Sequence, residues 1–406
     1  MTPAGLAAGG PLPLYLQPGR IGSLTLRNRI VRAATSETMA EEDGAVTDQL
    51  VGFYERLSAG GAGLLVTGHI YVDPRGQCSP RQMGLYDDRL VPGFRRLTDA
   101  VHRHGGAIFA EISHAGSQCM MSAGVPLAPS AVVNPIYERN PDVATEEDIA
   151  HVIAAFASTA RRAREAGFDG VHIHGGNGYL IAEFGSPHAN RRDDRWGGDA
   201  EGRGRFARSV YAAVRAAVGP DFPVSMRLGV MDSVPHGLTL EEGIDRAVAL
   251  AEDGVDALEL TYAVMDSYRD NIRPYVAVDG LRALRDWAIE RLWTPPAPQA
   301  YYRTFAKKLK ARADVPVILV GGLRSTDMMD EVLSSGSADF LAFARPFIRE
   351  PGFPNMLAAG RRGQLDCVSC NICLAHDGYD PLKCWRLDPA DLWAHGRQHL
   401  SSLFSR

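Results

Sequence analysis

The run from Val171 to Phe184, VHIHGGNGYLIAEF, holds the chain's densest concentration of reactive side chains. It leaves an apolar stretch through His172 and His174, then threads Asn177 and Tyr179 between Gly175, Gly176 and Gly178. An ordinary strand-to-helix connection needs turn residues and a cap, not an imidazole, an amide and a phenol packed round three glycines. His174 and Asn177 offer two hydrogen-bonding groups three residues apart, and a barrel enzyme keeps its chemistry at such a strand carboxyl end. His172 and His174 share a strand face, so alternation alone does not choose between them. Position does: His172 lies deeper and reads as barrel interior, while His174 stands at the mouth with Asn177 and Tyr179.

The elements that must hold this run recur along the chain. Strand signals fall within Ser23–Ala34 and at Gly63–Gly68, Ala107–Ile112, Phe168–His174, Pro223–Gly229, Val255–Thr261, Pro316–Gly322 and Ala338–Ala344. Helical signals lie between them, at Asp48–Gly60, Pro92–Arg103, Glu146–Ala166, Glu201–Val218, Leu240–Asp253, Gln299–Ala313 and Thr326–Ser335. Each strand is almost uniformly apolar, as parallel strands buried on both faces are. Eight βα units with right-handed crossovers predict an α/β fold, a closed (β/α)8 TIM barrel over residues 13–362.

Three segments stand outside that count. Residues 1–12 are rich in Gly, Ala and Pro and read as a disordered leader. Residues 264–298 carry Trp287 and Trp293 and are too long for a plain connection, so they read as a lid-like excursion. Residues 363–406 form a cysteine-rich tail.

Bulk properties narrow the class. With 406 residues and 45% hydrophobic side chains the chain can bury a large core. A net charge of −5 gives no basic footprint for nucleic acid. No apolar run reaches the length of a membrane span, and the amino terminus lacks the pattern of a signal peptide. A cytoplasmic location with reduced thiols is the expectation, as is a homo-oligomer.

Strand carboxyl ends supply Thr35, Ser36, Gly68, Glu111, His114, His174, Asn177, Tyr179, Arg227, Gly321, Gly322 and Arg345. The last two strands end in VGGLRS and FARPF, so backbone N–H groups and Arg345 meet where barrels commonly hold a phosphate.

In their order and spacing, LRNRIVRAATSE, HIHGGNGYLIAEFGSPHANRRDDRWGG, PVILVGGLRS and FLAFARPF resemble the old yellow enzyme family of FMN-dependent oxidoreductases, from about Leu16 to Pro354. The resemblance implies that Ala34, Thr35, Gly68, Glu111, Arg227, Gly321, Gly322, Ala344 and Arg345 line FMN. It implies that His174 and Asn177 grip the oxygen of an electron-withdrawing group while Tyr179 delivers a proton to the α-carbon. The activity implied is reduction of an activated C=C bond, or the reverse desaturation, with NAD(P)H as electron donor and a small molecule as substrate. Two positions depart from relatives. Glu111 stands where many have Gln, and a carboxylate accepts but cannot donate, so it is either protonated or the flavin is seated or tuned differently. Ser117 replaces the Arg of an HAGR motif. Arg192 reads as a loop anchor and His114 as structural.

Cys367, Cys370, Cys373 and Cys384 form C-x2-C-x2-C-x10-C, a spacing for an iron–sulfur cluster or zinc rather than disulfides. CVSCNIC also resembles the tail of the family branch that contains dienoyl-CoA reductase and trimethylamine dehydrogenase, which implies a [4Fe–4S] cluster. With no G-x-G-x-x-G fingerprint in the chain, such a cluster implies an external electron-donor protein. A non-redox lyase or isomerase holding a phosphorylated substrate at Gly321, Gly322 and Arg345 is the competing reading, and it leaves His174, Asn177 and Tyr179 unused.

Overall fold

A computed structural model describes residues 11–119, 125–134, 138–264 and 299–404. The leader expected at 1–12 falls almost wholly, and the lid-like excursion expected at 264–298 all but its first residue, outside these. Eight parallel strands run in chain order round a barrel: β1 (Ile30–Arg32), β2 (Leu64–Val66), β3 (Ala107–Ser113), β4 (Gly170–Gly175), β5 (Val224–Met231), β6 (Ala257–Tyr262), β7 (Val317–Leu319) and β8 (Phe340–Phe343). Pairing of β8 with β1 and of β2 with β3 closes the ring. All eight predicted strands are present and the expected (β/α)8 barrel is the fold.

The apolar runs form strands because both their faces are covered. Outward residues meet the helices α1 (Asp48–Ala59), α2 (Val91–His102), α3 (Glu146–Glu165), α5 (Ala200–Val218), α6 (Leu240–Glu252), α7 (Arg303–Lys310) and α8 (Thr326–Ser334), with the short α4 (Leu180–Gly185) inserted after β4. Inward residues Val31, Leu64, Val66, Phe109, Ala257, Ile318, Phe340 and Ala342 fill the barrel floor. Ile21 and Leu26 of an antiparallel hairpin, Gly19–Ile21 with Leu24–Leu26, join that cluster. Helix starts follow capping chemistry. At α3 the Thr145 hydroxyl accepts from the Asp148 N–H while the Asp148 carboxylate accepts from the Thr145 N–H, answering two otherwise orphan donors.

Strand register then decides which polar side chains meet. Glu111 pairs with His172 across β3 and β4, and Arg227 of β5 pairs with both His174 and Glu259. A two-residue period turns these inward together, one layer above the apolar floor. After β8 the chain forms short helices and then folds back over the barrel mouth. The Leu382 N–H donates to the Glu37 carbonyl, and the Gly378 N–H to the Thr38 hydroxyl. No helix among the described residues is long and apolar enough to cross a membrane.

Helix-to-barrel packing yields a paired prediction. A Cβ at Gly243 of α6 would lie 1.9 Å from the Val230 carbonyl oxygen, whereas at Gly52 of α1 its nearest neighbour is the tip of Arg56 at 3.6 Å. Gly243→Ala should destabilise by about 3 kcal/mol, and Gly52→Ala should stabilise by up to about 1 kcal/mol through helix propensity, both read from denaturant midpoints.

Candidate active site

A cavity of about 380 Å³ opens at the carboxyl ends of the strands. Ala34, Thr35, Glu111, His174, Asn177, Tyr179, Arg227, Gly321, Gly322, Ala344 and Arg345 all line it. Gly68 does not: its N–H turns away to donate to Glu37 Oε1 at 2.8 Å, within a buried network of Glu37, Tyr54 and Arg32. His114 stays outside as well, its Nδ1 accepting from the Gly116 N–H at 3.1 Å, as a structural histidine does. Arg192 holds its loop, donating to the carbonyls of Pro129 and Ala144 and pairing with Asp194.

The segment after β4 is shaped by one unusual backbone. Asn177 sits at φ +54°, a left-handed conformation that few residues besides Gly tolerate and Asn accepts best. Its N–H donates to the Tyr262 carbonyl at 3.1 Å, and its carbonyl accepts from the Gln118 amide at 2.8 Å. Gly178 follows at φ +77° with its N–H on the Ala263 carbonyl. Two consecutive left-handed residues reverse the chain and set Tyr179 at the N-cap of α4. The Tyr179 ring stands edge-on to His174, centroids 4.5 Å apart, and to His69 at 5.6 Å. Its hydroxyl bonds the Cys78 thiol. Backbone strain at a cavity wall marks functional positions, and here it brings the imidazole and the phenol together.

Beneath them lies the charged layer. Arg227 Nε donates to Glu259 Oε1 at 2.6 Å, and Glu111 Oε1 is 3.3 Å from His174 Nδ1. Both carboxyls are about 1% exposed, so neither is solvated. Burial alone would raise the Glu111 pKa, but the charge of Arg227, then that of His174, outweighs it and holds the carboxyl well below the usual range. Of the two alternatives for Glu111, the ionised form is the one this layer favours. Burial pushes Glu259 up, against the pull of Arg227. His172 is driven down to about 3 by burial and is neutral, with Nδ1 2.8 Å from Ser225 Oγ. The buried Nε2 of His174 has no protein partner among the described residues.

At the other side of the cavity Gly321, Gly322, Arg324 and Arg345 gather. The tail reaches them: Arg345 donates to Asn371 Oδ1 at 2.6 Å and Arg324 to Ser369 Oγ at 3.2 Å. Cys367, Cys370, Cys373 and Cys384 line a second, adjoining cavity of about 110 Å³, and Cys373 lines both. Among the described residues no three His, Cys, Asp or Glu side chains converge on a metal site as they stand. Arg345 and Arg349 border this second cavity, and Arg349 Nη1 lies 3.9 Å from Cys384 Sγ.

Several lining residues escaped the sequence reading. Glu259, in the charged layer beneath the cavity, carried a signal: of the two charges in VDALELT, it and not Asp256 shares the parity of the inward Ala257. His69 follows Gly68 directly and could have been found by extending that strand end one residue. Tyr301, Tyr302, Cys78 and Asp377 reach the cavity from connections and the tail, where no periodicity points inward.

A closed α/β barrel with an anion-binding arc facing a histidine–tyrosine pair has the construction of an FMN-dependent oxidoreductase. A model of the NADH:flavin oxidoreductase / NADH oxidase family matches residues 15–364, and the chain belongs to that family. It is 35% identical over 365 residues to an NADH oxidase of Thermoanaerobacter brockii, across 89% of this chain and 53% of that protein. A 4,4'-dithiodibutanoate disulfide reductase of Rhodococcus erythropolis is 34% identical over 380 residues, covering 90% of this chain and 93% of the relative. Among solved structures, the old yellow enzyme homologue of Zymomonas mobilis superposes with a TM-score of 0.71 at 25% identity, across 93% of this chain and 98% of that one. The chain spans about half the length of the NADH oxidase and of a metal reductase of Desulforamulus reducens.

The Arg-to-Ser departure has a structural consequence. The Ser117 N–H donates to Glu183 Oε1 at 3.0 Å, and its hydroxyl bonds the same oxygen. No cation among the described residues acts on Glu183, and burial pushes its pKa up to about 8. The unfolded chain ionises this group near its ordinary pKa, so its contribution to stability declines as pH rises from there towards 8. Glu183→Gln keeps the acceptor and removes the titration. Its unfolding free energy should exceed that of the unsubstituted protein by a gap that widens from about pH 5 to about pH 8, reaching on the order of 2 kcal/mol, read from denaturant midpoints.

Proposed function

We propose that this chain reduces activated C=C bonds of enone type, with FMN as cofactor and NAD(P)H as the source of electrons. The observation that carries the reading is His174 Nε2, buried, without a hydrogen-bond partner among the described residues, and on the cavity wall beside Asn177 and Tyr179. The residues fit FMN. Arg345, Arg324 and the Gly321–Gly322 backbone would take its phosphate, and Arg227 would face the pyrimidine edge, with Thr35, Ala34 and Ala344 along the ring. The buried Glu111 Oε2, also without a hydrogen-bond partner among the described residues, would accept the ring N–H. Bound FMN supplies the hydride.

The chain's own groups do the rest. His174 Nε2 would face the substrate oxygen as one donor, and the Asn177 amide supplies a second. Negative charge then grows on an oxygen already held by two preorganised dipoles. The Tyr179 hydroxyl delivers the proton to the α-carbon as general acid. A phosphate-binding lyase or isomerase would leave this arrangement idle.

For the tail we infer a [4Fe–4S] cluster on Cys367, Cys370, Cys373 and Cys384, fed by an external electron-donor protein. Four thiols round one small cavity bordered by two arginines suit an anionic thiolate cluster, and the shared Cys373 adjoins the flavin cavity. A cytoplasmic, homo-oligomeric enzyme remains the expectation.

Tyr179→Phe should slow enone turnover about 10²-fold while flavin reduction by NAD(P)H keeps its rate; loss of both together would remove Tyr179 from the proton step. Glu111→Gln should raise the midpoint potential of bound flavin by about 30 mV or more, because it takes a negative charge away from the ring that gains electrons. Protein purified without oxygen should carry about four iron atoms per chain, and Cys373→Ser should lose them; zinc alone would overturn the cluster.

A further inference from the structure

The tail contributes one carboxylate to the flavin cavity. Asp377, four residues beyond Cys373, lines that cavity with the neighbouring Gly378 and with Leu374 and Leu382. Its side chain is bonded by Ser36, next to Thr35 at the end of β1, and it lies close enough to Cys78 to raise that thiol's pKa. Cys78 in turn is the hydrogen-bond partner of the Tyr179 hydroxyl. Asp377 is thus at the reacting end of the cavity, near the phenol.

The cations that line the cavity among the described residues are committed elsewhere. Arg227 is bonded to Glu259, Arg345 to Asn371 and Arg324 to Ser369. His69, on the same wall, is driven down to about 4 by burial and brings no charge at neutral pH. Nor do the described residues round Asp377 supply a cation: Ser36 donates to it, and the charge that acts on it is that of Glu37. Burial raises the Asp377 pKa to about 6, so the carboxyl is mostly ionised at neutral pH. A carboxylate in this place would oppose the negative charge that grows on a substrate oxygen held by His174 and Asn177. A substrate bringing its own positive charge removes that opposition and gives Asp377 a partner.

We infer that Asp377 makes the reacting end of the cavity selective for substrates carrying a cationic nitrogen, an ammonium group a short distance from the activated double bond. The inference rests on the proposed function, since it takes the His174–Asn177 pair as the place where the acceptor oxygen sits. It also gives the tail a part in choosing the substrate, apart from anything its cysteines bind.

Three phenols of matched shape test it on the full-length, FMN-loaded protein kept without oxygen: tyramine with an ammonium group, 4-ethylphenol with no charge, and 4-hydroxyphenylacetate with a carboxylate. Phenolate binding over the flavin is read as charge-transfer absorbance. Tyramine should bind about tenfold more tightly than 4-ethylphenol, and 4-hydroxyphenylacetate about tenfold more weakly. Asp377→Asn should bring the three dissociation constants to within about threefold of one another while leaving 4-ethylphenol nearly unmoved. If 4-ethylphenol binds but tyramine has no advantage, or keeps its advantage in Asp377→Asn, the inference is wrong and the proposed function stands. If no phenol gives a band, the His174–Asn177 reading fails and takes the inference with it.

Discussion

One guanidinium governs the interior of this barrel. Arg227 lies between Glu259, which it bonds at 2.6 Å, and Glu111, whose charge it holds in place. Two carboxyls this deep are tolerable only with a cation between them, because an isolated buried charge costs several kcal/mol. Glu111 in turn lies 3.3 Å from His174, so the charged layer reaches up to the imidazole at the mouth. Register sets this order: a slip of one residue in β5 would turn Arg227 towards the helices and leave both carboxyls unmatched.

On that layer stands the segment from His174 to Tyr179. Its conformation is costly, with a non-glycine residue at positive φ, and is held by bonds to the ends of β6 and to Gln118. Rigidity is what a polarising pair requires, since its donors must already point at the oxygen before charge develops there. The tail completes the enclosure from the opposite side, bonding to the loop after β1 and to Arg324 and Arg345. The main cavity and the cysteine cavity therefore share walls, and Arg345, Ser369 and Asn371 belong to both.

The barrel was legible in the sequence because eight uniformly apolar runs leave few alternatives to a buried parallel sheet, and all eight are strands. His174, Asn177 and Tyr179 were legible because their types are wasted in a plain turn. Gly68 stands apart from the cavity lining, since a glycine at a strand end signals close approach without saying to what; here it is Glu37. Glu111 could be placed but its company could not: that it would meet His174 and His172 follows from register, a long-range property. Asp377 was invisible for the same reason, because only the fold-back of the tail brings it to Ser36 and Cys78.

The most direct test is an anaerobic stopped-flow experiment in which FMN-loaded protein, first bleached with dithionite, is mixed with 2-cyclohexenone. The account predicts that the yellow absorbance returns as the enone is consumed and cyclohexanone accumulates in equal amount. Flavin that stays bleached in the presence of this and other enones, yet is reoxidised readily by oxygen, would contradict it.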